Sequence, residues 1–94
     1  MTRYEINISD DVNIIAGREM DKQTKATMKL LGLQHFRSTK DRKKDRLKAI
    51  SKYGKKVDLK EFAVHHCFDG LVGLVPLELH KSVHHYGYFY RLEH

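Results

Sequence analysis

Two apolar segments, residues 62–68 and 71–75, are separated by Asp69-Gly70, and Pro76 follows the second. Asp-Gly between apolar segments is a strong short-range signal for a β-hairpin, because a type I′ turn requires a positive φ at both central residues. Proline suits the first turn of a helix, where its missing N–H is not needed. The order strand, two-residue turn, strand, helix predicts a ββα unit in the last third of the chain.

The rest of the sequence predicts two more helices and a strand. Amphipathic helical patterns cover residues 17–31 and 38–53, each followed by a glycine, and alternation over residues 3–9 predicts a short strand. The chain has 94 residues, enough for one domain. We therefore expect a small α+β domain with N-terminal helices and a C-terminal ββα-metal unit. The chain divides into four segments. An N-terminal strand and helix occupy residues 1–36, and a basic helix occupies residues 37–60. The ββα unit occupies residues 61–87, and a tail, either a strand or a packed extension, occupies residues 88–94.

The sequence makes more specific predictions for two of these helices. In the second helix, Ser38 or Thr39 is the expected N-cap, because either side chain can accept a hydrogen bond from the first turn. The helix of the ββα unit is expected to continue to Gly87. The apolar residues expected to face the core are Leu47, Ile50 and Tyr53 in the second helix, and Leu79, Val83 and Tyr86 in the last.

Positive charge is concentrated in the segment 37–60. The chain has a formal net charge of +6, and residues 37–60 alone carry +8, against −2 for residues 61–94. A basic segment beside a candidate site is typical of proteins that bind a polyanion, most often nucleic acid, although a solvated helix face is the alternative. The residues predicted to contact phosphates are Lys40, Arg42, Lys43, Lys44 and Lys48.

Five of the seven histidines lie within residues 65–85. His80 and His84 are one helical turn apart, a common spacing for two imidazoles on one metal. With His65 as a third ligand, positions would stay open for water and substrate, and His66 would be free to act as a general base. Adjacent strand residues point to opposite faces, so we expect a bulge at or next to the histidine pair.

A structural zinc site is the alternative for these histidines, since small domains often need a metal to stabilise them. Cys67 could supply a thiolate, although the Cys-x-x-Cys spacing of many structural zinc sites is missing. One divalent metal ion is expected in either case, and the sequence does not distinguish zinc, magnesium, manganese and nickel. His35 and His94 lie apart from the cluster and are expected to be structural or exposed.

A longer pattern runs through the same region: His-His-x-x-Asp-Gly, then Leu-Val-Pro-x-x-Leu-His-x-x-Val-x-His-x-Gly. Its positions are His65, His66, Asp69, Gly70, Leu74, Val75, Pro76, Leu79, His80, Val83, His85 and Gly87. The pattern resembles the HNH/endonuclease VII superfamily, and within it the toxin-type nucleases with a paired-histidine "WHH" signature. Val64 stands where that signature has tryptophan, and the hairpin of the family is slightly longer.

The resemblance implies a ββα-metal (His-Me finger) fold that cuts DNA, less often RNA, with one divalent metal. It implies His66 as the base, His80 as a helix ligand, and His85 as the other helix histidine. His85 follows His80 by five residues and could join it only where the helix unwinds, so the spacing favours His84. We predict a metal-dependent endonuclease of low sequence specificity. The alternative is a non-catalytic nucleic-acid-binding module with a structural zinc site.

Compartment and partners follow from weaker signals. The N-terminus lacks the layout of a signal peptide, no apolar run approaches bilayer length, and the single cysteine excludes an internal disulfide. The chain is therefore expected to be cytoplasmic as encoded. If it is toxin-type, the resemblance implies delivery into another cell and an acidic immunity or inhibitor protein that binds the basic surface.

Overall fold

The computed structural model describes residues 2–82, 85 and 87–93, with side chains for residues 12–82, 85, 87–90 and 92. Over these residues the chain is a small α+β domain, as predicted. Its elements are α1 (Thr2–Leu31), β1 (Phe36–Arg37), α2 (Arg42–Tyr53), β2 (Phe62–His66), β3 (Leu71–Pro76), α3 (Leu77–Ser82) and α4 (Tyr88–Glu93). Within the described part of the chain, no helix combines the length and apolar character needed to cross a membrane.

The sheet is antiparallel, with strand order β1-β3-β2. The predicted hairpin of β2 and β3 is confirmed, and its register runs without interruption from Phe62 opposite Pro76 to His66 opposite Val72. The predicted bulge at His65-His66 is therefore wrong. The two histidines instead point to opposite faces of a regular strand, and β2 lies at the edge of the sheet, where both faces can be reached.

The hairpin turn differs from the predicted type I′. The Cys67 N–H donates to the Leu71 carbonyl oxygen and the Gly70 N–H to the Cys67 carbonyl oxygen, both at 2.9 Å, which leaves a three-residue loop. Gly70 has φ +87°, whereas Asp69 does not have a positive φ. Such a loop needs one left-handed residue at its last position. The Asp69 carboxylate accepts the Leu71 N–H at 3.0 Å, so Asp69 is a turn residue.

The first helix is much longer than predicted. Residues 3–9 belong to α1, so the predicted strand there is wrong. A helix satisfies its backbone hydrogen bonds within the segment, whereas a strand there would have to pair with the outer edge of β1 or β2. The predicted end of the helix is confirmed: Gly32 has φ +69°, and the Leu33 N–H donates to the Met28 carbonyl oxygen at 2.9 Å.

The second helix begins later than predicted. Asp41 is its N-cap, not Ser38 or Thr39, and its carboxylate accepts the N–H groups of Lys43 and Lys44 at 2.9 and 3.2 Å. The buried side of α2 also differs from the prediction. Of the three apolar residues expected to face the core, Tyr53 is buried, whereas Leu47 and Ile50 are exposed. The residues that α2 buries are Asp45, Ala49 and Tyr53.

The core joins α1, α2 and the sheet, and the C-terminal segments lie along β2. Core side chains come from Met28, Phe36, Ala49, Tyr53, Val72 and Leu74. The last predicted helix is shorter than expected: α3 ends at Ser82, and His85 and Gly87 are not helical. Val83 and Tyr86 lie outside the described residues. The tail forms α4, where the sequence left a strand or a packed extension open.

Candidate active site

Three histidines meet beside the edge strand. His65 on β2, His80 on α3 and His85 after α3 each offer a ring nitrogen, and these nitrogens all lie within 4.8 Å of one another. The His80 and His85 ring centroids are 4.6 Å apart. His85 reaches the cluster because α3 has already ended, as its five-residue spacing from His80 requires. His84, the ligand favoured from spacing, lies outside the described residues.

The first helix supports His65. Its Nε2 lies 2.7 Å from the Asp21 Oδ1, and the side chain of His65 is almost completely buried. The other oxygen of Asp21 accepts the Phe68 N–H at 3.1 Å, which fixes the carboxylate. With Nε2 donating to Asp21, Nδ1 is the nitrogen left for a metal, and a carboxylate behind a ligating histidine is the usual arrangement at metal sites.

Burial keeps His80 neutral. Burial, with the nearby His85, His65 and His66, lowers the pKa of His80 to about 4. A neutral imidazole has the free lone pair that a metal requires. His80 could therefore bind a metal ion without first losing a proton, and its ring nitrogen lies within 4.8 Å of those of His65 and His85.

A second set of possible metal ligands also includes His65. Asp21, His65 and Cys67 also place their ligand atoms within 4.8 Å of one another. Cys67 is fully buried, and burial raises the pKa of its thiol, with Asp21 and Asp69 adding to the shift. A thiol must lose its proton to bind a metal, so this group is the weaker candidate.

His66 contacts a different carboxylate. Its Nε2 lies 2.9 Å from the Oδ2 of Asp45 on α2. Asp45 is fully buried and also accepts the Ser38 hydroxyl at 2.5 Å, and the Thr39 N–H and hydroxyl at 2.8 Å each. Burial raises the pKa of Asp45, but the hydrogen bonds from Ser38, Thr39 and His66 outweigh it and hold the pKa below its ordinary value. Asp45 is therefore an ionised acceptor.

Burial determines the charge of His66, and the contact with Asp45 determines its tautomer. Burial lowers the pKa of His66, although its hydrogen bond to Asp45 opposes that shift. The imidazole is therefore neutral near pH 7, and a carboxylate at Nε2 selects the tautomer with the proton on Nε2. Nδ1 then has a free lone pair, which is what a general base needs.

His66 and the cluster of His65, His80 and His85 border the same cavity, which has a volume of about 610 Å³. Its basic wall consists of Arg42 and Arg46, one turn apart on α2, and the Arg42 guanidinium carbon lies 4.6 Å from the centre of the Phe89 ring. Phe89 in turn contacts the His66 ring edge-on, with centroids 4.8 Å apart. Gly87 lies against β2, where a Cβ would overlap the His66 carbonyl oxygen. The close approach that places His85 therefore needs a glycine there.

The predicted phosphate-binding residues divide into two groups. Arg42 borders the cavity, whereas the predicted lysines of this segment lie outside its lining, on exposed parts of α2 and the preceding loop. One of them, Lys48, places its Nζ 4.9 Å from the centre of the Phe36 ring. Arg46 was not singled out from the sequence, although its four-residue spacing from Arg42 is a signal. The lysines are Lys40, Lys43, Lys44 and Lys48.

Asp21 and Asp45 were also not found from the sequence. Both lie on sides of their helices that face the protein interior. Asp21 is one turn before the buried Thr24, and Asp45 is one turn before the buried Ala49. A carboxylate at a core-facing position is costly to bury without a partner. That position is the signal that could have identified both residues.

No family model, curated protein or solved structure matches this chain. The resemblance to HNH nucleases therefore rests on the motif residues themselves. Function has to be argued from the geometry of the site.

Asp21→Asn tests the metal site without removing a ligand. We expect the substitution to weaken binding of zinc or nickel by about 10- to 100-fold, because the amide orients and polarises His65 less well. Isothermal titration measures the affinity. Asp69→Asn is the matched control, since Asp69 belongs to the hairpin turn and should leave the affinity unchanged. Equal affinities for Asp21→Asn and wild type would contradict the arrangement.

Proposed function

We propose that this chain is a metal-dependent endonuclease that hydrolyses phosphodiester bonds of nucleic acid, DNA in preference to RNA, with low sequence specificity. One observation carries the proposal. A carboxylate-oriented histidine, His66, and a cluster of three imidazoles border the same arginine-lined cavity. A base, a candidate metal site and anion-binding groups are the parts that hydrolysis of a phosphodiester requires.

His66 acts as the general base in this proposal. Its Nδ1 takes a proton from a water molecule whose oxygen bonds to phosphorus as the P–O bond to the leaving sugar oxygen breaks. The leaving oxygen takes a proton from solvent, and Nε2–H stays bonded to Asp45. Because Asp45 is buried and ionised, it stabilises the positive charge that forms on the ring. The same contact holds the ring in place before the reaction, so little reorientation is needed.

The donor set favours particular metals. Imidazole nitrogens suit zinc, nickel and similar transition metals, whereas magnesium prefers oxygen ligands. His65, His80 and His85 would hold one such ion, which would supply Lewis-acid stabilisation of negative charge on the phosphate. Three protein ligands leave coordination positions open, as catalytic sites do.

Arg42 and Arg46 hold the phosphate backbone. Guanidinium groups form paired, charge-assisted hydrogen bonds to phosphate oxygens. Such contacts position the substrate and carry no sequence information, which supports low specificity. The exposed lysines predicted from the sequence would extend the contact to neighbouring phosphates and, if the chain is toxin-type, form the surface that an acidic immunity protein covers.

The order of elements supports the resemblance. β2, β3 and α3 follow one another as strand, strand and helix, with the paired histidines on the first strand and His80 on the helix. A closed structural zinc site would favour the non-catalytic module instead. In that case a donor such as the Cys67 thiolate would have to complete the site.

Plasmid cleavage tests the proposal. Purified protein incubated with supercoiled plasmid should nick or degrade it when zinc, nickel or manganese is added, and should leave it intact in EDTA. A parallel assay with single-stranded RNA tests the preference for DNA. If the protein binds DNA and cuts it with none of a panel of divalent metals, the non-catalytic module is the better description.

A further inference from the structure

The cavity beside His66 has two chemically different ends. Arg42 and Arg46 line it near the histidines, and Ile50, one turn further along α2, continues the same wall. Past the arginines the lining is aliphatic. It consists of Ile50, Leu59, Ala63 and Val64.

The aliphatic end is open to solvent. Ile50 is 46% exposed, and Leu59, Ala63 and Val64 are each only partly buried. A row of phosphates offers no partner for such a surface, because the backbone of a nucleic acid is charged. A nucleobase has an apolar face of suitable size, and cavities of several hundred Å³ are typical of sites that take such groups.

Aromatic and guanidinium groups lie at the histidine end of the cavity. The Phe89 ring packs against the Arg42 guanidinium and contacts the His66 ring edge-on, which places an aromatic ring beside the basic wall of the cavity. Proteins that bind single strands combine a positively charged groove with surfaces on which bases stack. This cavity combines the same features, since arginines, an aromatic ring and an aliphatic surface line it together.

We propose that the apolar end of this cavity binds the unstacked base of the nucleotide next to the scissile phosphate, so that single-stranded or locally unpaired DNA is the preferred substrate. The inference rests on the proposed function. A base in a duplex is covered by its stacked neighbours and its pairing partner, and drawing it into the cavity costs free energy that a single strand does not require.

Binding in EDTA tests the inference without any cleavage. Fluorescence anisotropy with a labelled single-stranded oligonucleotide, and with the duplex of the same sequence, should show tighter binding of the single strand by about tenfold. An abasic version of the single strand, which keeps every phosphate, should bind more weakly than the intact strand and close to the duplex.

Two exposed aliphatic residues on α2 provide a matched pair of variants. Ile50→Ser should weaken binding of the single strand by about fivefold, since burial of an aliphatic side chain against the base is lost, and should leave duplex binding unchanged. Leu47→Ser is the control, because Leu47 is 58% exposed and lies outside the cavity lining. Both side chains are exposed, so neither variant should disturb the fold.

Equal affinity for single strand and duplex, or equal effects of Ile50→Ser and Leu47→Ser, would overturn the base subsite. Either result leaves metal-dependent plasmid cleavage standing, so the two proposals fail separately. Loss of plasmid cleavage under all metals, with single-strand binding intact, would overturn the nuclease and keep the subsite as part of a binding module.

Discussion

His66→Ala is expected to abolish plasmid cleavage while the fold and the bound metal are retained. General-base catalysis by a positioned side chain contributes about 10²- to 10⁴-fold to the rate, and the initial rate of nicking should fall by that amount. The measurement is the disappearance of supercoiled plasmid over time at saturating metal. A variant that cuts as fast as wild type would contradict the assignment of His66 as the base.

The structure explains why this substitution should be tolerated. When the imidazole is removed, Asp45 still accepts hydrogen bonds from the Ser38 hydroxyl and from the N–H and hydroxyl of Thr39. The buried carboxylate is therefore not left without partners. His65 on β2 and His80 on α3 are unchanged, so metal affinity in isothermal titration should match that of wild type.

Two further variants separate catalysis from structure. His66→Gln keeps a side-chain N–H that can donate to Asp45 but provides no base, so it should be as inactive as His66→Ala and as stable as wild type. His35→Gln replaces a histidine outside the cavity lining and should keep full activity. Addition of imidazole to His66→Ala should restore part of the rate, because a free base can enter the open cavity.

The parts of the fold predicted correctly have local causes. The hairpin follows from an Asp-Gly pair between apolar segments, and the meeting of His65 with His80 follows from the order of strands and helix. The end of α1 is equally local, since Gly32 can adopt the left-handed conformation there. Residues close in sequence determine each of these features, so a single sequence is sufficient to find them.

The errors concern features that depend on distant contacts. Alternation over residues 3–9 predicts a strand, but a local pattern does not show whether a segment reaches a sheet edge, and these residues extend α1 instead. The i, i+4 rule favoured His84, but it applies only within a continuous helix, and α3 ends at Ser82. The position at which α3 ends depends on how the following segment packs against β2, and the spacing of residues within the helix does not reveal this packing.

Both supporting carboxylates were missed for the same reason. Asp21 contacts a histidine 44 residues later, and Asp45 contacts one 21 residues later. In the sequence, Asp45 is one of three acids in a strongly basic segment, so charge counting hides it. In the structure, α2 turns Asp45 inward to His66 and turns Arg42 and Arg46 toward the cavity. In the proposed mechanism, α2 therefore provides both the group that orients the base and the groups that hold the phosphate.

Asp45→Ala is expected to lower the free energy of unfolding by about 3 kcal/mol, measured by urea denaturation at pH 7. The substitution leaves the hydrogen-bond donors of Ser38, Thr39 and His66 without their shared acceptor. Ser38→Ala is the control, since it removes one of these bonds and should cost about 1 kcal/mol.

The difference between wild type and Asp45→Ala should also depend on pH. The pKa of Asp45 is lower in the folded protein than its ordinary value of 3.8. The stability that the ionised carboxylate contributes is therefore complete above that ordinary value and is lost as the pH falls through the folded one. The two proteins should converge in stability under acidic conditions. A difference that stays constant from pH 7 to well below the ordinary pKa would show that Asp45 stabilises the fold by packing and not as a buried, ionised acceptor.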